Sequence, residues 1–294
     1  MGSTGTGKSA MAMELAAWAG ASIIVCDSMQ VYRGLDIGTA KPSSRDRECV
    51  THFMLDCAEL PDVFSAARWA REALHVIEAE NGRGIIPLIT GGTGLYLRAL
   101  LERLADIPDE QSDVRKRLMQ EAGVMGTPAM HARLARVDEA TAVRLHSNDT
   151  QRILRALAVF ESSGVPLSEW TKKKPAAAGI DCPMFVLSVE RPLLRQRLEA
   201  RFRVMLAAGW LDEVHWLANL GLSDRHPAMR AVGYRQLLTH VQDACPLDEA
   251  VEKGIYATRQ YAKRQETWLR HQAVGARWGD AKALVPELQK VLRS

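Results

Sequence analysis

Eight consecutive residues near the start of the chain have the types and spacing that bind phosphate groups. They follow the pattern G-x-x-x-x-G-K-S, in which small residues let successive backbone N–H groups wrap a diphosphate at the start of a helix. The lysine would neutralise the outer phosphate, and the serine hydroxyl would bind Mg²⁺. The predicted diphosphate-binding residues, called the P-loop below, are Gly2, Ser3, Thr4, Gly5, Thr6, Gly7, Lys8 and Ser9.

Loops of this kind most often bind nucleoside triphosphates. One detail argues against an efficient triphosphatase, because the apolar run at residues 84–90 continues into Gly91 without an aspartate. Hydrolases often place an Mg²⁺-binding carboxylate there. The P-loop therefore predicts phosphate binding with weak hydrolysis, and kinases of small molecules share this feature.

Asp27 is the nearest carboxylate that could take part in chemistry. It directly follows a short apolar run at residues 22–26, and a carboxylate at the end of a strand beside a phosphate site can accept a proton. Alternatively, Asp27 caps the turn that follows it. Both readings remain open at this point.

The elements that position these groups alternate between strand and helix. Short apolar, β-branched runs predict strands at 22–26, 84–90 and 184–189, and apolar spacing predicts helices at 9–18 and 64–79. This alternation predicts an α/β fold, a P-loop NTPase-like parallel sheet flanked by helices. Ligands of such sheets gather at the carboxyl ends of the strands.

Three segments are predicted from changes in pattern and charge. Residues 1–110 and 180–294 form the two parts of the P-loop core, and residues 111–179 form an inserted helical subdomain that ends in a linker after Lys172. Residues 111–205 hold sixteen Lys and Arg against ten Asp and Glu. This excess favours an anionic partner, although such charges also solvate exposed helix faces.

A P-loop normally follows a strand, and here only Met1 precedes it. Either the start of the chain is assigned too late, or the sheet lacks a central strand and the loop is weakly anchored. We favour a late start assignment.

Composition narrows the class of protein. No apolar run approaches the roughly 18 residues of a membrane span, and no signal pattern is present, so we expect a cytoplasmic protein without membrane contact. Five scattered cysteines and eight histidines form no zinc-binding spacing. We expect a monomer.

Residues 27–42, DSMQVYRGLDIGTAKP, resemble the signature segment of the tRNA dimethylallyltransferases. Further segments similar to that family follow in order at 91–96, 148–157, 205–214, 229–236 and 258–270. The resemblance spans nearly the whole chain, and the lack of a C-terminal zinc-finger extension matches the bacterial form.

The resemblance implies transfer of a dimethylallyl group from dimethylallyl diphosphate to N6 of adenosine-37 in the tRNA anticodon stem-loop, with Mg²⁺ as cofactor. It implies Asp27 as general base, with Lys8, Thr93 and Arg115 as further catalytic residues. The residues that it implies for tRNA binding are Asp27, Ser28, Met29, Gln30, Thr93, Arg115, Gln151, Arg152, Ile153, Leu154, Arg155 and Arg230. We expect the side-chain amides of Gln30 and Gln151 to pair with base edges.

Other interpretations compete with these. Arg152 and Arg155 could instead pair with Asp149 or Glu161 along a helix, and Tyr261 and Trp268 have the spacing of core residues. For the whole chain, one alternative is a small-molecule or nucleotide kinase, which explains only the first forty residues. The other is a non-catalytic RNA-binding or nucleotide-switch protein.

Overall fold

The structure, a computed structural model, describes residues 1–102, 107, 111–172 and 180–293. It divides into two compact units, one of Met1–Leu101 with Ile180–Ser294 and one of Glu102–Gly179. The predicted insertion, residues 111–179, lies within the second unit. The linker predicted after Lys172 falls outside the described residues.

A parallel sheet lies in the first unit. Strand β1 (Ser22–Cys26) lies between β2 (His52–Phe53) and β3 (Pro87–Gly91), and all three run in the same direction. Every residue of β1 is buried, as its run of mostly apolar, β-branched residues predicts for a strand covered on both faces. The predicted α/β architecture is confirmed.

The remaining elements are a second parallel strand pair and the helices. The pair consists of β4 (Phe185–Leu187) and β5 (Arg277–Gly279). In chain order the helices are α1 (Lys8–Ala19), α2 (Ser44–Cys49), α3 (Ala66–Gly82), α4 (Gly94–Glu102), α5 (Ser112–Met125), α6 (Thr127–Val137), α7 (Glu139–Arg144), α8 (Thr150–Ser163), α9 (Leu167–Lys172), α10 (Arg191–Met205), α11 (Leu211–Asn219), α12 (Tyr234–Val241), α13 (Leu247–Gln272) and α14 (Ala281–Val291). A short segment with a left-handed glycine, Gly209 (φ 100°), joins α10 to α11.

The first two residues connect β3 to β4. The Leu187 amide donates to the Met1 carbonyl oxygen (2.9 Å), and the Gly2 amide donates to the Gly91 carbonyl oxygen (3.2 Å). Met1 and Gly2 thus lie where a strand before the P-loop would be expected. Main-chain hydrogen bonds therefore join the start of the loop to segments on both sides.

Trp69 fixes α3 against the end of β1. Its ring is fully buried and stacks on Tyr96 with a centroid distance of 5.1 Å, while its Nε1 donates to the Val25 carbonyl oxygen (3.1 Å). An indole that is both packed and hydrogen-bonded has few alternative positions. The strand end that carries Asp27 is therefore held by the core.

The second unit has a hydrophobic core of its own. Its buried side chains come from α5, α6, α7 and α8 and include Leu118, Met130, Leu134, Ile153 and Leu157. Among the described helices of the whole chain, none combines the length and apolar character needed to cross a membrane.

Candidate active site

A cleft of ≈ 810 Å³ opens in the first unit at the P-loop and the carboxyl end of β1. Several segments that are distant in sequence line it, including the P-loop, residues 38–42, α10 and α13. Of the predicted site residues, the cleft brings together Thr4, Gly5, Gly7, Lys8, Ser9, Asp27, Ser28, Met29, Gln30 and Arg230.

The P-loop takes its shape from glycines and internal hydrogen bonds. Gly5 (φ 82°) and Gly7 (φ 94°) adopt left-handed conformations that glycine tolerates best. The Thr6 hydroxyl donates to the Ser3 carbonyl oxygen (2.9 Å). Gly2, Ser3 and Thr6 are buried and outside the cleft lining, so we interpret them as supports of the loop.

Lys8 begins α1 and extends along the loop, where its Nζ donates to the Ser3 carbonyl oxygen (3.3 Å). Burial lowers the pKa of Lys8 from 10.5 to about 8, the nearby Asp27 carboxylate opposes this shift, and Arg201 adds to it. When an anion enters the cleft, it stabilises the charged form of a lysine whose pKa is lowered in this way. This electrostatic state suits a diphosphate.

Arg201 is a second cation of the cleft that sequence reasoning missed. It lies on α10 and remains reachable by solvent, yet the surrounding protein lowers its pKa, and Asp27 opposes this effect. A guanidinium can bind two phosphate oxygens at once. With Lys8, it provides positive charge from two separate elements.

The Asp27 carboxylate caps a turn and also lines the cleft. Its Oδ1 accepts hydrogen bonds from the amides of Met29 (2.9 Å) and Gln30 (3.4 Å). Both bonds use the same oxygen, so within the described residues Oδ2 has no such bond. The two interpretations of Asp27 are therefore compatible, because the turn orients the carboxylate and leaves one oxygen for a substrate.

Gln30 does not offer its amide nitrogen to a base in this structure. Its Nε2 donates to the carbonyl oxygens of Thr39 (2.9 Å) and Ala40 (3.3 Å). The pairing of Gln30 with a base edge stays a prediction. Gln30 instead holds the segment at residues 39–40 beside the turn of Asp27.

Thr93 links the end of β3 to the Asp27 turn. Its Oγ1 accepts a hydrogen bond from the Ser28 amide (3.1 Å) and is also hydrogen-bonded to the Tyr261 side chain. Burial, with the charge of Asp27, raises the pKa of Tyr261 to about 12. Tyr261 was expected in the core, and the structure places it half-buried, where it also lines the cleft.

Glu213 on α11 holds one wall of the cleft. Its carboxylate accepts hydrogen bonds from three successive amides, Asp36 (2.8 Å), Ile37 (2.7 Å) and Gly38 (3.1 Å), and from the Tyr234 hydroxyl. The segment that follows these amides, residues 38–42, lines the cleft. Because three of the four partners are backbone amides, residue types in the sequence do not reveal these contacts.

We expect Glu213→Gln to loosen this wall. A neutral amide cannot accept four hydrogen bonds as a carboxylate does, and the loss should cost about 1.5–3 kcal/mol of stability. Hydrogen exchange at the amides of residues 36–38 should accelerate, measured by mass spectrometry of the full chain. Asp212→Asn, which removes an exposed charge from the same helix, should leave these amides protected; equal acceleration in both variants would contradict this role.

The second unit contains the predicted tRNA-binding residues of α5 and α8. The side chains of Arg115, Gln151 and Arg152 are exposed. Ile153 and Leu154, in contrast, are buried in the core of the unit. Their predicted role as tRNA contacts is corrected for the side chains, because a buried apolar side chain cannot reach RNA.

A hollow of ≈ 320 Å³ in this unit is lined in part by three arginines, Arg144, Arg152 and Arg155. Arg152 lies 3.5 Å from Asp149, as one alternative interpretation predicted, but its side chain is 75% exposed. Exposed pairs of this kind contribute little stability. The pair therefore leaves Arg152 able to bind an RNA phosphate.

Ser9 is suited to help bind a metal ion. Its side chain is exposed at the cleft, one residue after Lys8. Among the described residues, no group of three or more His, Cys, Asp or Glu side chains could hold a metal ion. Mg²⁺ usually takes few protein ligands and completes its shell with phosphate oxygens and water, so a single hydroxyl beside a phosphate site fits this ion.

Comparison with known proteins finds a matching family model and similar curated proteins. The family model described as IPP transferase matches residues 30–272. The chain is 46% identical to the tRNA dimethylallyltransferase of Halorhodospira halophila, over 95% of this chain and 91% of that protein. It is 45% identical to the tRNA dimethylallyltransferase of Geobacter sulfurreducens, over 92% and 87% of the two chains.

Solved structures agree with these relatives. The tRNA isopentenylpyrophosphate transferase of Bacillus halodurans is similar, with a TM-score of 0.70, 30% identity, and coverage of 99% of this chain and 93% of that chain. A eukaryotic dimethylallyltransferase acting on tRNA has a TM-score of 0.80 and 26% identity, over 95% of this chain and 72% of that chain. The resemblance found in the sequence is confirmed, and the chain belongs to the IPP transferase family.

Proposed function

We propose that this chain transfers a dimethylallyl group from dimethylallyl diphosphate to N6 of adenosine-37 in tRNA anticodon loops and releases diphosphate. In this reaction the bond between the allylic carbon and the diphosphate oxygen breaks, and a bond from N6 to that carbon forms. One proton leaves N6. The relatives named tRNA dimethylallyltransferase support the proposal.

The observation that carries the proposal is the placing of a carboxylate and two cations in one cleft. Lys8 and Arg201 lie close enough to Asp27 for its charge to oppose the lowering of their pKa values. The cations and the P-loop amides would neutralise the diphosphate as the carbon–oxygen bond breaks. Asp27 would accept the proton of an amine that is a weak nucleophile until it loses that proton.

Different elements of the cleft act on the two substrates. The P-loop and α10 hold the leaving group, whereas the turn after β1 presents the proton acceptor to the other substrate. A base in a folded anticodon loop must leave its stack to reach such a cleft. Thr93 and Arg230 are proposed to contact the extruded nucleotide or its phosphates.

The proposed partners of the chain are tRNA and Mg²⁺. We assign the exposed side chains of Arg115, Gln151 and Arg152, together with Arg155, to tRNA binding. Mg²⁺ would be held by the Ser9 hydroxyl and would add positive charge at the diphosphate. The protein is proposed to act as a monomer in the cytoplasm, without membrane contact.

The acceptor position can be tested with two synthetic anticodon stem-loops. One carries adenosine at position 37, and the other carries guanosine there with the rest of the sequence unchanged. Label from dimethylallyl diphosphate should enter only the adenosine stem-loop, and nuclease digestion should return it on N6. Equal labelling of both stem-loops would contradict the assignment.

The pKa of Lys8 predicts how diphosphate affinity depends on pH. Below about pH 8 the free amine is charged, and above it the lysine must take up a proton when the anion binds. Affinity for dimethylallyl diphosphate should therefore fall as pH rises from 7 to 9.5, by about tenfold for each pH unit above 8. Titration calorimetry at fixed Mg²⁺ measures it.

Lys8→Arg is the matched control for this pH dependence. Arginine stays charged throughout this range, so any affinity that the variant retains should not change with pH. A wild-type affinity that is constant between pH 7 and 9.5 would show that Lys8 is not the titrating contact.

A further inference from the structure

Gln265 connects two parts of the cleft that are far apart in sequence. It lies on α13, its side chain is buried with 7% of the residue exposed, and it makes two hydrogen bonds. Its Oε1 accepts from the Thr4 amide of the P-loop (2.9 Å), and its Nε2 donates to the Gly92 carbonyl oxygen after β3 (2.8 Å). One planar amide thus bridges the two segments.

The chemistry of the contact requires glutamine. The side chain must accept from one backbone group and donate to another, and a primary amide does both. A carboxylate lacks the donor, and a methionine of similar length lacks both functions. Gly92 is matched to this arrangement, because a Cβ there would lie 2.3 Å from the Gln265 Nε2.

The two bridged segments belong to different halves of the proposed reaction. Thr4 belongs to the P-loop, whose later amides would bind the diphosphate. Gly92 precedes Thr93, whose hydroxyl accepts from the Ser28 amide beside Asp27. Together with the main-chain bond from Gly2 to Gly91, the bridge therefore helps to set the distance between the leaving-group half and the proton-acceptor half of the cleft.

We propose that Gln265 is a positioning residue that holds the diphosphate and the target amine in register for transfer. This inference rests on the proposed function. It also assigns the Thr4 amide to Gln265, so the amides available to the diphosphate are those that follow Thr4. Since misplacing reacting groups by about 1 Å can cost roughly 100-fold in rate, the bridge matters more for turnover than for binding.

The test compares Gln265→Met, Gln265→Glu and the control Gln272→Met, an exposed position on the same helix. Gln265→Met should lower kcat by roughly 100-fold while the KM values for tRNA and dimethylallyl diphosphate change much less. A larger share of the dimethylallyl diphosphate consumed should be hydrolysed to the free alcohol rather than transferred. Gln265→Glu, which retains only the acceptor to Thr4, should also lose turnover, and Gln272→Met should match the wild type.

Two results would overturn the inference. One is a Gln265→Met enzyme with wild-type kcat. The other is a variant whose kcat, diphosphate affinity and melting temperature fall together, with an unchanged ratio of hydrolysis to transfer, because that describes general destabilisation. Failure of the wild type itself to transfer would overturn the proposed function, and is distinguished from both by the unmutated protein in the same assay.

Discussion

Asp27→Asn should abolish prenyl transfer while leaving tRNA affinity nearly unchanged. Asparagine keeps an oxygen that can accept from the amides of Met29 and Gln30, so the turn after β1 should persist. What is lost is the carboxylate that, in the proposed reaction, accepts the proton of the amine. We expect a fall of about 10²–10⁴-fold in the single-turnover rate, measured with saturating dimethylallyl diphosphate and tRNA.

Asp27→Ala separates the two roles of this residue. It removes the turn cap as well as the base, so it should show the same loss of rate and faster hydrogen exchange at the amides of Met29 and Gln30. A filter-binding assay gives the tRNA affinity of both variants. If Asp27→Asn loses tRNA affinity in proportion to rate, Asp27 binds RNA and is not the base.

Lys8→Met should weaken diphosphate binding and slow turnover together. Methionine retains most of the length of the side chain and removes the charge that is proposed to face the outer phosphate. Loss of one such electrostatic contact typically lowers kcat by about 10²–10³-fold, and dimethylallyl diphosphate affinity should fall as well. Calorimetry gives the affinity, and initial rates of label transfer give kcat.

Comparing the two variants distinguishes the residue that binds the diphosphate from the residue that acts on the amine. Lys8→Met should lose affinity for dimethylallyl diphosphate, whereas Asp27→Asn should bind it at least as tightly as the wild type, because a negative charge is removed near the anion. Unchanged diphosphate affinity in Lys8→Met would contradict the role of the P-loop.

The strands that carry the site could be predicted because each is a short, nearly continuous apolar run. Residues 22–26 were predicted as they are found in β1, and β3 was predicted at 84–90 and found at Pro87–Gly91. By contrast, β2 has only two residues, and β5 has the sequence Arg-Trp-Gly, which is not an apolar run. Pairing with distant partners, and not local sequence, makes these segments strands.

The P-loop motif and Asp27 could be predicted from the sequence, whereas the residues that hold these segments in place could not. The pattern of residues 2–9 and the position of Asp27 indicate the cleft from the sequence alone. Glu213 and Gln265 fall within the family-like segments at 205–214 and 258–270, but their partners include backbone groups on distant segments, which the sequence does not identify. A backbone amide has no residue type, so sequence patterns carry no signal for such contacts.

Two further predictions, for Tyr261 and Ile153, differ from what the structure shows. Tyr261 has the spacing of a core residue, but its ring lies where the core meets the cleft and its hydroxyl bonds Thr93. Ile153 belongs to a segment that resembles a tRNA-binding motif, but it is on the buried side of α8. Spacing indicates which face of a helix is apolar, and does not show where that face meets a ligand.

The central claim is tested most directly by incubating the wild-type protein with Mg²⁺ and unmodified tRNA in two parallel reactions. One contains radiolabelled dimethylallyl diphosphate and the other contains γ-labelled ATP, and the nucleosides of both are separated after digestion. We predict label on adenosine in the first reaction and no phosphorylated product in the second. An unlabelled tRNA in the first reaction, or phosphorylation in the second, would contradict the assignment as a dimethylallyl transferase.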